Sequence, residues 1–218
     1  MQRIHFDQEL ESLERQLLRM GVNVCDILHL AVESLARQDL ALAGKIIKED
    51  DLFDQMDLKL ETDCIKLIAL QQPLAKDLRV ISTVLKTSTD LERIADHSTN
   101  IAEITIRIGE AQLIKPLIDI PEMAKAVENM VREGLKAFVD RDADQAKEVC
   151  LQDDIIDRLY EDLFLELTDL IKKETDREII IQIMNLLFVA RFLERVGDHA
   201  TNIGERVIYL VTGVRGKY

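Results

Sequence analysis

The 218-residue chain is 47% hydrophobic and 32% charged, with 3 Pro, 8 Gly, no Trp and 4% aromatic residues. That balance excludes a disordered or collagen-like chain and leaves few strand formers and few turn breakers, which is an all-α composition. With 28 basic against 41 acidic residues the formal net charge is −13, which repels a phosphate backbone and argues against direct nucleic-acid binding.

Apolar residues recur at spacings of three and four over about 6–35, then 40–70, then 74–108, predicting three long helices. The breaks between them are a polar turn ending in Asp39, a predicted cap, and Gln72-Pro73, where a proline can open a helix. A segment from Lys115-Pro116 to Pro121 follows, and then three more helical stretches over about 123–139, 143–172 and 176–211. Thr175 with Glu178 forms a capping-box pattern at the start of the last one. The most apolar run, 179–193, is interrupted by Gln182, Asn185 and Arg191 and is too short to span a bilayer, so it reads as a buried helix. The N-terminal residues lack the apolar core of a secretion signal. Cys25, Cys64 and Cys150 are isolated and odd in number, suggesting neither disulfides nor a thiolate zinc site and fitting a reducing cytoplasm.

The second half of the chain repeats the first. Residues 91–103 (LERIADHSTNIAE) align with 193–205 (LERVGDHATNIGE) at an offset of 102, with nine of thirteen positions identical. Upstream, Asp50 and Asp54 align with Asp153 and Asp157 at an offset of 103, as does Asp39 with Asp142. Short turns between long helices force antiparallel neighbours, so the expected architecture is two tandem three-helix bundles, residues 1–112 and 113–218. Helices of this length, roughly 45–55 Å at 1.5 Å per residue, make the molecule elongated.

On a helical projection Glu92 and Asp96 fall on a stripe opposite Leu91, Ile94 and Ile101. If the second and third helices reverse near residue 73, residues whose numbers sum to about 146 stand level, setting Asp54 beside Glu92 and Asp50 beside Asp96. The same register in the second half sets Asp157 beside Glu194 and Asp153 beside Asp198. Four carboxylates so close repel one another by about 1 kcal/mol or more per pair unless a cation lies between them. An oxygen-only site suits magnesium, calcium, manganese or iron, often more than one ion. Acidic pairs one turn apart ordinarily mark a solvated face, but recurrence in both halves at matched heights on two helices favours metal binding. Asp57 and Glu61 share the face of Asp50 and Asp54, but their counterparts are Tyr160 and Phe164, so these two read as solvated charge. Arg93 and Arg195 read as ion-pair partners of the stripe or as bridges between halves. His97 and His199 lie off the stripe, as core or interhelical hydrogen-bonding residues. Because Glu92 and His97 are five apart, the Glu-x-x-His of ferritin-type di-iron bundles is missing.

The repeated L-E-R-(I/V)-(A/G)-D-H-x-T-N-I-x-E, together with Leu70-Gln71-Gln72-Pro73-Leu74-Ala75-Lys76-Asp77-Leu78-Arg79, resembles the PhoU family of phosphate-signalling proteins over essentially the whole chain. The family's E(D)-x-x-x-D motifs match Asp50 with Asp54, Glu92 with Asp96, Asp153 with Asp157, and Glu194 with Asp198. The resemblance implies multinuclear iron or zinc clusters on these pairs. It further implies a cytoplasmic regulator working with the ATPase subunit of a phosphate ABC transporter and a sensor histidine kinase, restraining the starvation response when phosphate is plentiful. The second half lacks the Gln-Gln-Pro and Asp-Leu-Arg elements, having Asp176 opposite Leu74 and Ile179-Ile180-Ile181 opposite Asp77-Leu78-Arg79, so the halves need not bind partners equally.

Two functional classes follow: a non-enzymatic, metal-bearing adaptor, or a metal-dependent phosphohydrolase using the same carboxylates. The chain has no Gly-rich phosphate loop, no G-x-S-x-G and no Cys-His pairing, which favours the adaptor. Apolar strips such as 179–188 predict a homo-oligomer, a dimer being the simplest. The net charge of −13 predicts that membrane association is indirect, through partners.

Overall fold

The computed structural model describes residues 2–216 and holds eight α-helices and no strand among them. They are α1 (Gln2–Arg37), α2 (Leu40–Lys48), α3 (Asp50–Gln71), α4 (Ala75–Ile108), α5 (Asp119–Asp140), α6 (Ala143–Leu151), α7 (Asp153–Ile171) and α8 (Arg177–Thr212). Helices α1–α4 pack against one another, as do α5–α8, and the two groups meet where α4 lies on α8 and α1 on α5. The expected pair of bundles is present, and no described helix is long and apolar enough to cross a membrane.

Helices α4 and α8 are the spines. On α8 the fully or nearly fully buried residues Ile183, Leu186, Ala190, Leu193, Val196, Ala200, Ile203, Val207 and Leu210 repeat at three and four. Ile81, Val84, Leu91, Ile94, Ile101 and Ile108, at spacings of three and seven, line one buried face of α4. Each apolar side chain withdrawn from water contributes roughly 1.5–3 kcal/mol.

The structure departs from the six uninterrupted helices expected from periodicity. The second stretch of each half breaks at one residue, Glu49 and Gln152. Glu49 remains right-handed (φ −89°, ψ −2°), and its N–H bonds to Ile46 O three residues back, a tightened turn that restarts the helix. Each restart puts an acidic pair, Asp50-Asp51 or Asp153-Asp154, in a first turn, where the helix dipole favours negative charge. Apolar spacing runs straight through the break, so periodicity could not disclose it.

Asp39 caps α2 as expected, accepting from Leu42 N, and its repeat counterpart Asp142 caps α6, accepting from Asp144 N and Gln145 N. The cap of α8 is displaced by one residue from expectation. Asp176, in extended backbone, accepts from Glu178 N and Ile179 N, while Glu174 takes the N–H groups of Thr175 and Asp176. An adjacent Asp outcompeted the Thr175-Glu178 pattern.

The polar interruptions of 179–193 have structural partners. Buried Gln182 accepts from Ile114 N (2.8 Å) and donates to Gln112 O (3.1 Å), pinning the connection between the bundles, while Asn185 Oδ1 accepts from Arg107 (3.4 Å). Gln38, in a left-handed conformation after α1, grips the start of the same connection at Gly109 O and Ala111 O.

The halves differ in how closely their helices approach. A Cβ on Gly204 would lie 2.8 Å from Cys150 Sγ and 2.9 Å from the carbonyl oxygen of Ala146, so only glycine lets α6 sit this close to α8. The equivalent residue of the first half is Ala102. Gly204→Ala should therefore destabilise the protein by about 1–2 kcal/mol, since backbone overpacking exceeds the gain in helix propensity. The urea midpoint checks this, and an unchanged or raised midpoint would contradict it.

Candidate metal centre

Asp50 opens α3 and Asp54 stands one turn on, while Glu92 and Asp96 are one turn apart on the antiparallel α4. One carboxylate oxygen each from Asp54, Glu92 and Asp96 lie within 4.8 Å of one another. Asp50 is held beside them by the Thr99 hydroxyl, which donates to its Oδ1 at 2.8 Å. The side chains of Glu92 and Asp96 are 13% and 30% exposed.

Burial first, and then the charge of Asp96, push the Glu92 carboxyl up to about 7; Arg93 opposes the rise, and Asp54 and Asp57 add to it. Asp96 is raised by burial and by Asp50 and Asp54, against Arg93. Arg93 reaches Glu92 at 3.2 Å and Asp96 at 2.9 Å, so it neutralises its own stripe rather than bridging the halves.

In the second half, burial followed by Asp157 and Asp198 pushes Asp153 up to about 6. Glu194 is raised by burial and by Asp198, and its Oε2 is buried without a hydrogen bond. Arg191 comes within 2.5 Å of Glu194 Oε1 with its guanidinium 5.7 Å over the ring of Tyr160, and Arg195 is 3.0 Å from Asp198. Among the described residues only the Asp54, Glu92 and Asp96 oxygens converge in a trio, so the two carboxylate sets are unequal in geometry. The repeat positions show why: Arg191 replaces Thr89, and Tyr160 replaces Asp57.

These residues fit a cation. Carboxylates that crowd at raised pKa, with one buried oxygen left unbonded, are what a hard or borderline ion would relieve. The all-oxygen donor set suits iron, manganese or magnesium better than zinc, which favours nitrogen and sulfur ligands.

Asp57 corrects the expectation of solvated charge. Its Oδ1 accepts from the hydroxyl of buried Ser88 at 2.6 Å, a contact the second half cannot make because Ala190 stands at that place. Glu61 is exposed, as expected. Asp57→Ala should cost about 1 kcal/mol in urea denaturation, whereas Glu61→Ala should stay within about 0.5 kcal/mol. Equal effects would refute the distinction.

The two histidines lie at the α4–α8 seam, off the carboxylates, as the projection predicts. His97 stacks on Phe192 at 5.6 Å, and burial and then His199 push it down to about 4, so it is neutral at pH 7. His199 Nδ1 is 3.1 Å from Asp90 Oδ1. Asp90 is 5% exposed and also takes Arg206 Nε at 2.6 Å and Asn202 Nδ2 at 3.3 Å, tying the two bundles together. Sequence reasoning missed this junction. Its signal was an asymmetry of the repeat, since Asp90 aligns with Phe192 and Arg206 with Ile104.

The model of the PhoU domain matches this chain twice, over residues 17–105 and 120–207. The chain belongs to the PhoU family. It is 41% identical over 214 residues to a phosphate-specific transport system accessory protein PhoU homolog of Clostridium acetobutylicum, covering 98% of this chain and 97% of that one. A homolog of the same description from Aquifex aeolicus is 39% identical over 206 residues, covering 94% and 92%. Among solved structures, PhoU from Pseudomonas aeruginosa superposes with a TM-score of 0.90 at 36% identity, covering 96% of this chain and all of that one. The phosphate transport system regulatory protein PhoU from Streptococcus pneumoniae also gives 0.90, at 31% identity and 98% coverage of this chain. Both PhoU domains of this family member carry the carboxylate pairs, with Asp50, Asp54, Glu92 and Asp96 in the first and Asp153, Asp157, Glu194 and Asp198 in the second.

Proposed function

We propose that this PhoU-family chain is a non-enzymatic, metal-bearing accessory protein that regulates phosphate uptake. The observation that carries the reading is near full-length similarity to phosphate transport accessory proteins, in a chain that carries two acidic pairs in each of its halves. It acts in the cytoplasm, with the ATPase subunit of a phosphate ABC transporter and a sensor histidine kinase as partners. Asp50, Asp54, Glu92 and Asp96 hold one metal cluster; Asp153, Asp157, Glu194 and Asp198 hold a second, weaker one. A bound cation supplies charge neutralisation that locks α3 to α4 and α7 to α8 and shapes the surface offered to a partner. The stripe Ile181, Met184 and Phe188 on α8, each 38–47% exposed, suits a second copy of the chain, making a dimer.

Metal analysis of protein purified without chelator tests the central claim. The wild type should retain iron or manganese in preference to zinc, and Asp54→Asn with Asp96→Asn should lose most of it. In cells, deletion of the gene should raise phosphate-starvation expression in phosphate-rich medium. Metal-dependent hydrolysis of phosphoesters, abolished by the same double variant, would replace the adaptor by an enzyme. Tight binding to protein-free anionic vesicles without divalent ions would contradict recruitment through partners.

A further inference from the structure

A cleft of about 320 Å³ opens where the first half of α4 meets the end of α8, lined by Ser82, Thr83, Lys86, Arg206, Tyr209 and Arg215 among others. From this cleft we infer a binding site for a phosphate group, carried either by free inorganic phosphate or by a small phosphomonoester. It is separate from the carboxylate stripes and does not depend on a metal.

The chemistry is that of an anion site within an acidic molecule. Three cations, Lys86, Arg206 and Arg215, stand here against Glu205, which also lines the cleft, and Asp90 behind Arg206, whereas the whole chain carries −13. Arg206 spends only its Nε on Asp90, at 2.6 Å, a bond that fixes the guanidinium plane. Four of its five N–H donors remain on the two terminal nitrogens, the fork that matches a phosphate. Neither Lys86 nor Arg215 is paired with a carboxylate among the described residues; Arg215 lies over the ring of Tyr209, 5.1 Å from its centroid.

A second observation points the same way. Thr83 is 2% exposed, lines the cleft, and its hydroxyl oxygen is buried without any hydrogen-bond partner. A buried hydroxyl is ordinarily bonded, so this one is a donor awaiting an acceptor. A cleft of this size lies at the small end of small-molecule pockets, which admits a phosphate with or without an attached group along Tyr209. The site exists in one half only. The positions equivalent to Lys86 and Arg206 are Phe188 and Ile104, so the repeat has not preserved it by symmetry.

Calorimetric titration of the full, chelator-treated chain with inorganic phosphate and, in a separate arm, with adenosine monophosphate tests the inference. Removing metal first keeps phosphate from binding through a metal cluster, so failure here and failure of the metal reading are distinguishable. Binding at a Kd of about 1 mM or tighter is expected in at least one arm. Binding in the first arm assigns free phosphate, and binding in the second alone assigns a monoester. Lys86→Ala with Arg215→Ala should weaken it at least tenfold, the loss of charge-assisted bonds. Thr83→Val, which keeps the shape and removes the unbonded hydroxyl, should weaken binding while leaving the melting temperature unchanged or higher. Lys45→Ala, on the distant α2, should bind as the wild type. No binding in either arm, or undiminished binding by the Lys86→Ala Arg215→Ala protein, overturns the site.

Discussion

Asp90→Ala is expected to lower stability by about 3 kcal/mol and the melting temperature by roughly 6–12 °C in a chain of this size. The carboxylate is 5% exposed and takes Arg206, His199 and Asn202, all from α8. Its removal leaves an arginine, itself 29% exposed, facing a void at the seam. Breaking a buried pair by deleting one partner costs more than the pair is worth net, because the remaining charge stays desolvated. Partial exposure of Arg206 lets water reach it, which is why the value belongs at the low end of the usual 3–5 kcal/mol. Arg206→Ala alone should cost less, and the Asp90→Ala Arg206→Ala protein should recover about 1–2 kcal/mol relative to the sum of the single changes. Additive melts would show that the two residues do not form a coupled junction. Because the bond joins the two bundles, its loss should also separate the unfolding into two transitions by calorimetry.

The second large effect changes sign with metal. In chelator, Asp96→Asn should raise stability by about 1 kcal/mol, since it removes one of the negative charges crowding Glu92 and Asp54. With metal at a hundredfold excess over its Kd, the wild type gains about 2.7 kcal/mol from binding, and the variant forfeits most of that gain. Melts of both proteins in both buffers decide it: identical shifts in the two conditions mean a solvated acidic face. Asp198→Asn should invert more weakly, because Arg191 and Arg195 already compensate the carboxylates of its set. The pH dependence of the chelated protein has a definite sign. Glu92 titrates near 7 in the folded chain, above its ordinary carboxyl value of 4.5. The native state therefore holds more protons than the unfolded one between pH 4.5 and 7, and Glu92's contribution to stability falls as pH rises through that window. Asp153, held up to about 6, adds in the same direction. Glu92→Gln should flatten this dependence, and an unchanged slope would contradict the assignment.

The helical class, the duplication and the antiparallel register were legible in the amino-acid order because each rests on local or repeated information. Spacings of three and four define the buried faces of α4 and α8 whatever they pack against. The 102-residue offset announces two units, and the turn at Gln72-Pro73 sets Asp54 level with Glu92 and Asp50 level with Asp96 before any coordinate is known. Resemblance in the L-E-R-x-x-D-H motif carried the family.

What needed the folded chain was every property that depends on a side chain from another helix. Asp90 looks like a misplaced charge on an apolar face until His199, Asn202 and Arg206 arrive from α8. Asp57 looks solvated until Ser88 turns toward it from α4. The inequality of the two carboxylate sets is likewise tertiary, for the motif is the same in both and the difference comes from Arg191, reaching from Tyr160 to Glu194, where the first half has Thr89 and Asp57. Periodicity reports which face of a helix is dry. Whether a polar group on that face is paid for by a partner depends on distances of a few ångströms between helices remote in sequence, and those are decided when α4 and α8 close on each other.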